Sequence, residues 1–310
     1  MTQTRISTFK DPVAGPAFLR DWNQRVMQAN GASYTAHTLE TRFGKTHVWA
    51  HTPPGPVRET LVFLPGARTC GLFWDLDHVL APLKADYQIW IPDVNGQPGL
   101  SAGNCPAIKG SDYGLWAEEV FNQLKIEKAT VIGASQGGLI GLKLCLQAPE
   151  RVKQLVLMNP GGIQPFSTRF KNLYYNFMPM LFPSDKNIRA FFDQVILHPQ
   201  THQISAQAYQ FMLEYMRLAL TEFKFAGDYP SPLPAEELKA VTHPIHLVLG
   251  DQDLLFPTAG TVAIAQSHFQ QLSSTQILPG IGHGIETSPA AITALQKLLM
   301  SPHQTLQAQK

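Results

Sequence analysis

Between residues 60 and 278, six short runs dominated by β-branched and large apolar residues recur at intervals long enough to hold a helix. They are TLVFL (60–64), YQIWI (87–91), ATVIG (129–133), QLVLM (154–158), IHLVLG (245–250) and TQIL (275–278). Runs that are mostly apolar, rather than alternating with polar residues, need cover on both faces, and the segments between them supply it. The pattern therefore predicts an α/β fold with a parallel sheet and helices on both sides. Upstream, residues 14–29 space Phe18, Trp22 and Val26 at helical intervals, which predicts one amphipathic helix. The stretch HTLETRFGKTHVWAHT reads as two strands joined in a hairpin about Gly44.

One segment breaks the rhythm. Residues 161–241 contain no convincing strand and are rich in Phe, Tyr, Met and Pro, with Pro165, Pro179, Pro183, Pro199 and Pro230 punctuating stretches of helical spacing. A structureless loop of this length is implausible in a compact domain, so a helical insertion between two strands is expected. The organisation that follows is a helical lead-in over 1–35, a core formed by 36–160 and 242–310, and the insertion over 161–241.

Composition removes several classes of function. With 24 Lys and Arg against 23 Asp and Glu, the chain has no electrostatic footprint for nucleic acid or for an anionic membrane surface. No uncharged apolar run reaches 18 residues, and the N-terminal stretch PVAGPAFL is short and carries two prolines, unlike a signal peptide. Cys70, Cys105 and Cys145 are odd in number and far apart, which argues for packing rather than a disulfide framework. A soluble, cytoplasmic protein with no membrane span and no nucleic-acid partner is expected. No G-x-G-x-x-G or G-x-x-x-x-G-K-[ST] appears, so neither dinucleotide nor nucleoside triphosphate binding is supported.

The chemistry centres on Gly133-Ala134-Ser135-Gln136-Gly137-Gly138. A buried strand precedes it and a helix ended by Pro149 follows, so Ser135 falls on a sharp strand-to-helix turn that presents its hydroxyl at the sheet edge. The free N–H groups and positive dipole end of that helix would face an oxyanion formed there. A serine needs a general base, and the base needs a third group to orient it. Of eleven histidines, His283 in LPGIGHGIETSP is the one best placed just beyond a core strand, before a helix with Pro289 at its first position. For the acid, IHLVLGDQDLLFP offers Asp251 and Asp253, whereas QLVLM is followed by Asn159, which cannot carry a negative charge. His198 and His202 have no third ligand of metal-site type and are expected on the surface.

Four segments together resemble the α/β-hydrolase superfamily, in particular soluble bacterial hydrolases with a helical cap: GASQGG, DVNGQPGLS (93–101), GDQDLLFP and GIGHGIETSP. The resemblance runs from about residue 40 to residue 300, interrupted by the cap. It implies a mostly parallel central sheet, Ser135 as nucleophile, His283 as base and Asp253 as acid, since Asp253 follows the glycine by three positions and Pro257 completes the pattern. Asp251 then becomes a turn or helix-capping residue. It further implies an oxyanion hole from the backbone N–H groups of Gln136 and Ala67, the latter in Pro65-Gly66-Ala67-Arg68, where relatives usually begin His-Gly. Arg68 would lie near the pocket mouth, as a surface arginine or a carboxylate-binding one. Cap residues such as Phe177 and Met212 would line the pocket, and Glu214 and Glu222 are the cap's main candidates for holding an amine.

The activity implied is that of a serine hydrolase, a carboxylesterase acting on a small-molecule ester of small to medium size, needing no metal or organic cofactor. The alternatives are other uses of the same triad, namely carbon–carbon bond hydrolysis, thioester hydrolysis, aminopeptidase action or perhydrolysis, and a ligand receptor that keeps the fold.

Overall fold

The computed structural model describes residues 5–300; the outer ends of the expected lead-in and core, 1–4 and 301–310, lie outside the described residues. The chain begins with β1 (Thr8–Phe9), α1 (Ala14–Ala29) and the hairpin β2 (Thr35–Thr41) and β3 (Gly44–His51). It continues through β4 (Glu59–Leu64), β5 (Tyr87–Pro92), α2 (Asp112–Gln123), β6 (Ala129–Ala134), α3 (Gln136–Gln147) and β7 (Val152–Met158). Next come α4 (Phe170–Leu181), α5 (Asp185–Phe191) running into a π-turn (Phe192–Ile196), α6 (Ala206–Thr221), β8 (Phe223–Lys224) and α7 (Ala235–Ala240). The last elements are β9 (Ile245–Gly250), α8 (Thr258–His268), β10 (Leu272–Leu278) and α9 (Pro289–Met300).

Eight strands form one sheet in the order β10-β9-β7-β6-β4-β5-β3-β2. The six from β10 to β5 run parallel, and β3 pairs antiparallel with both β5 and β2. Successive side chains along the strands divide between two cores, as the two-residue period of a strand requires. Leu61 and Phe63, Ile132 and Ala134, and Val156 and Met158 point to a core shared with α1, α6 and α9. Val62 and Leu64, Val131, and Leu155 and Leu157 point to a core shared with α2, α3, α7 and α8. Cover on both faces is the reason the central runs are largely apolar, whereas β10, at the edge of the sheet, buries only Leu278 and leaves Ile277 half-exposed.

The segment expected to be helical departs from that expectation twice. It contains β8, a two-residue strand that pairs antiparallel with β1, and Pro179 lies inside α4 rather than ending it. Its second half is part of the core: α6 packs on α1, with the Trp22 indole N–H donating to Phe211 O at 3.0 Å and the Tyr215 ring stacked edge-on against Phe73 at 4.6 Å. In its first half α4 is loosely held, burying Asn172 and Pro179 and leaving Phe170, Tyr174 and Leu181 exposed, whereas Ile188, Phe192 and Val195 after it are buried. The three cysteines are buried and free. Among the described residues no helix is long and apolar enough to cross a membrane.

Candidate active site

The parallel strands bring their carboxyl ends to one edge of the sheet, and β6 ends there at the turn that carries Ser135. Its backbone adopts φ +50° and ψ −117°, a sparsely populated conformation that costs of the order of 1–3 kcal/mol and is held by its surroundings. Ser135 N–H donates to Met158 O at 3.2 Å, and Ser135 O accepts from the N–H groups of Gly138 and Gly161 at 3.0 and 2.8 Å. Two glycines permit the turn by close approach: a Cβ on Gly133 would strike the carbonyl of Gly137, and one on Gly137 the carbonyl of Leu64. α3 therefore starts directly at the serine, with its unpaired N–H groups nearest to it.

Two loops complete a hydrogen-bonded line. His283 Nε2 lies 3.0 Å from Ser135 Oγ, and Nδ1 lies 2.9 Å from Asp253 Oδ2. Asp253 follows β9, and its other oxygen, Oδ1, accepts from the N–H groups of Leu255 and Phe256 at 2.8 and 3.1 Å. Asp251 points elsewhere, its Oδ1 accepting from Gly280 N–H at 2.6 Å, so it ties two loops together and caps no helix. Burial pulls the His283 pKa down. The charge and hydrogen bond of Asp253, with a smaller contribution from Glu286, outweigh burial, and the net direction is up from the ordinary value.

Asn159, set aside in the sequence because it cannot be the acid, has a different task. At φ +42° beyond β7, its side-chain amide donates to the carbonyls of Gly282 and His283 at 2.9 and 3.2 Å and accepts from Gly250 N–H at 2.8 Å. One amide thus fixes the histidine loop against the end of β9. Only the place of Asn159 at a strand end hinted at this, because its partners lie 91 to 124 residues away.

The loop after β4 forms the facing wall. Gly66 sits against Ser135, where an added Cβ would lie 3.4 Å from the serine Cβ, and Ala67 and Arg68 follow at the cavity surface. Pro65 stands where relatives usually carry histidine, and Gln97 pins the loop instead. Its Oε1 accepts from Arg68 N–H at 2.7 Å, and its amide donates to Gln136 Oε1 at 3.2 Å. Gln97 is held by the DVNGQPGLS loop, which closes around buried Asp93: Asp93 Oδ1 accepts from Gly71 N–H at 2.6 Å and Oδ2 from Leu100 N–H at 2.7 Å. The Arg68 side chain is half-buried, donating to Tyr229 Oη at 2.8 Å and lying over the Phe225 and Tyr229 rings at 5.2 and 5.7 Å. It is a tether to the insertion rather than a solvated surface arginine.

Ser135 and His283 open into a cavity of about 330 Å³, within the range of small-molecule sites. Phe177, Pro179 and Met180 of α4 line it, as do Met216 and Leu220 of α6. Met212 does not: it is 2% exposed and belongs to the core facing α1, because the first turns of α6 lie over that helix and only the last turns reach the cavity. Glu214 pairs with Arg25 on α1, Glu222 is exposed, and neither lines the cavity. The acid that does is Glu286, on the 3-10 turn Ile285–Thr287 after His283, where burial pushes its pKa up. Nothing in its sequence neighbours distinguishes it from a solvated loop glutamate. His202 is also not at the surface. It is buried against that turn, Nε2 lying 3.1 Å from Thr287 Oγ1, and burial together with His198 lowers its pKa to about 4.

A family model described as alpha/beta hydrolase fold matches residues 59–285. The chain is 28% identical over 251 residues to the uncharacterized carboxylesterase nap of Bacillus subtilis, covering 79% of each. Among solved structures, carboxylesterase CesB (YbfK) from Bacillus subtilis superposes with a TM-score of 0.74 at 19% identity, covering 92% of this chain and 98% of that one. Naproxen esterase from Bacillus subtilis superposes with a TM-score of 0.72 at 23% identity, covering 92% and 97%. At these identities the two structures speak to the fold.

Proposed function

The chain belongs to the alpha/beta hydrolase family, and from that membership we propose that it is a serine carboxylesterase cleaving small to medium apolar esters through an acyl-enzyme. The observation that carries the reading is the unbroken line from Asp253 through His283 to Ser135, at 2.9 and 3.0 Å, ending at an apolar cavity. Similarity to a carboxylesterase of matching length supports the choice among ester, thioester and carbon–carbon chemistry.

In this reading Ser135 Oγ attacks the ester carbonyl while its proton passes to His283 Nε2. Asp253 accepts the Nδ1–H bond throughout, which fixes the tautomer and stabilises the imidazolium. The oxyanion is held by the N–H groups of Ala67 and Gln136, the first on the pinned loop and the second at the start of α3. Collapse of the tetrahedral intermediate returns the proton from Nε2 to the leaving alcohol. Water then attacks the acyl carbon while His283 Nε2 takes its proton, and collapse of the second tetrahedral intermediate breaks the bond to Ser135 Oγ, returns that proton to Oγ and releases the acid. Arg68 steadies the cavity wall, and Phe177 forms part of the surface that receives the apolar group. Three free, buried cysteines support a cytoplasmic setting for this chemistry.

A fluorophosphonate probe tests the nucleophile. Stoichiometric labelling on the peptide containing Ser135 is expected, and Ser135→Ala should abolish it and lower kcat on p-nitrophenyl esters by about 10⁴- to 10⁶-fold with the fold intact. Labelling on any other peptide would overturn the mechanism.

A further inference from the structure

Among the described residues, the ionisable and amide side chains that line the cavity each have at least one hydrogen-bond partner in another residue, with the exception of Glu286. Ser135 and His283 bond each other, Arg68 is held by Tyr229, and Asn176 donates to Asn172. Glu286 also lines the cavity, yet among the described residues its carboxylate receives no hydrogen bond from another residue's side chain or backbone; its own backbone N–H is the donor that lowers its pKa against the burial that raises it. The surrounding wall is apolar, formed by side chains such as Phe166, Ile196, Leu255 and Phe256. A carboxylate in such surroundings without a partner is energetically costly, and a ligand that brings a donor relieves that cost.

Glu286 is also held in place. Thr287 N–H donates to Gly284 O at 3.1 Å, Gly284 N–H donates to Ile196 O at 2.8 Å, and the neighbouring Thr287 hydroxyl lies 3.1 Å from His202 Nε2. A carboxylate fixed on a short turn beside the histidine is suited to selecting a ligand by charge. Arg68 is tethered to the insertion, its guanidinium donating to Tyr229 Oη and lying over the Phe225 and Tyr229 rings, although its buried Nε has no partner among the described residues.

We propose that Glu286 makes the cavity selective for esters that carry a basic nitrogen on an otherwise apolar body, the ammonium pairing with its carboxylate while the ester carbonyl sits at Ser135. This rests on the esterase reading above. It assigns the recognition of an amine to a core loop.

The test compares p-nitrophenyl esters of equal acyl length that end in a methyl, a hydroxyl or a dimethylamino group, with a matching series carrying these groups on the alcohol. A charge-assisted hydrogen bond predicts that, in one of the two series, kcat/KM for the amine ester exceeds that of its methyl isostere by about tenfold or more. In Glu286→Gln that ratio should fall to one or below. Turnover of the methyl esters with no amine advantage in either series would overturn the proposal and leave the esterase reading standing. So would an advantage for the hydroxyl ester alone, or an amine advantage that survives in Glu286→Gln. Should that variant not fold, the comparison in the unaltered protein decides by itself. Should no ester be turned over, the esterase reading fails separately, and calorimetric titration with n-butylamine still tests Glu286: binding that weakens about tenfold in Glu286→Gln supports the proposal, and absence of binding to the unaltered protein overturns it.

Discussion

His283 is fixed at both ring nitrogens and at both main-chain groups. Its N–H donates to Val195 O at 2.9 Å, and its carbonyl accepts from Ile285 N–H and from the Asn159 amide. Burial lowers its pKa, but Asp253 and Glu286 raise it by more, so the imidazole becomes neutral above the ordinary value of 6.5. A general base must be neutral, so the acid limb of kcat/KM should have its midpoint above pH 6.5. Asp253→Asn should move that limb to lower pH, because the raising carboxylate is gone, and should lower kcat by about 10⁴-fold through the wrong tautomer. Asp251→Asn, which touches the bonds from Gly280 N–H and the Gln252 amide and none to His283, should retain most activity. A pH–rate profile for each variant checks this, and the reverse pattern would transfer the orienting role to Asp251. The residues alone left Asp251 and Asp253 both open as the acid, and it is the resemblance to the family pattern, with Gly250 and Pro257, that implied Asp253. The tasks of Asn159 and Glu286 were not legible in the sequence, since neither depends on sequence neighbours: one follows from a clamp onto distant loops, the other from which side of a turn faces the cavity.

Among the elements, α4 and α6 have similar composition and opposite situations. α6 buries Ala208, Phe211, Met212 and Tyr215 under α1, while Phe177 on α4 is 47% exposed at the cavity. Phe177→Ala should therefore leave stability nearly unchanged and flatten the rise of kcat/KM with acyl length, a rise of up to about 0.8 kcal/mol for each buried CH₂. Met212→Ala should do the opposite, costing about 2–5 kcal/mol in urea unfolding with the acyl-length profile preserved in shape. A flat profile in the unaltered protein would mean that α4 does not set specificity. Helical spacing announced both helices in the sequence. It did not reveal which turns reach a cavity, because that depends on where α6 crosses α1, and the contact of Trp22 with Phe211 spans 189 residues.

The molecule as a whole is closed by its first described residues. Residues 5–10 bond to the loop at Gly103–Cys105 on one side and to the stretch after α6 on the other: Ser7 N–H donates to Gly103 O, Cys105 N–H to Arg5 O, Lys10 N–H to Glu222 O, and Ala226 N–H to Ser7 Oγ, at 2.8 to 3.0 Å. Arg5 adds an exposed ion pair with Asp228, which contributes little. Removing residues 1–10 should lower stability by at least roughly 4 kcal/mol, at about 1 kcal/mol for each of these four bonds and before the β1–β8 pairing and the Phe9–Phe223 ring contact are counted, and a lower urea midpoint is the expected result. An unchanged midpoint would mean that the strap merely lies on the surface. The central sheet was legible from its apolar runs, but β1 and β8 were not, because two residues carry no period and their pairing is wholly long-range. That distance sets an order of events during synthesis. Ser7 is made 219 residues before Ala226, which at ribosomal speeds of 5–20 residues per second is a wait of roughly 10 to 45 s. Through that interval the nascent chain can build the β4, β5 and β6 portion of the sheet and join Arg5 and Ser7 to the loop at Gly103–Cys105, but it cannot make the bonds to Glu222 and Ala226, so completion of the strap marks the arrival of the insertion.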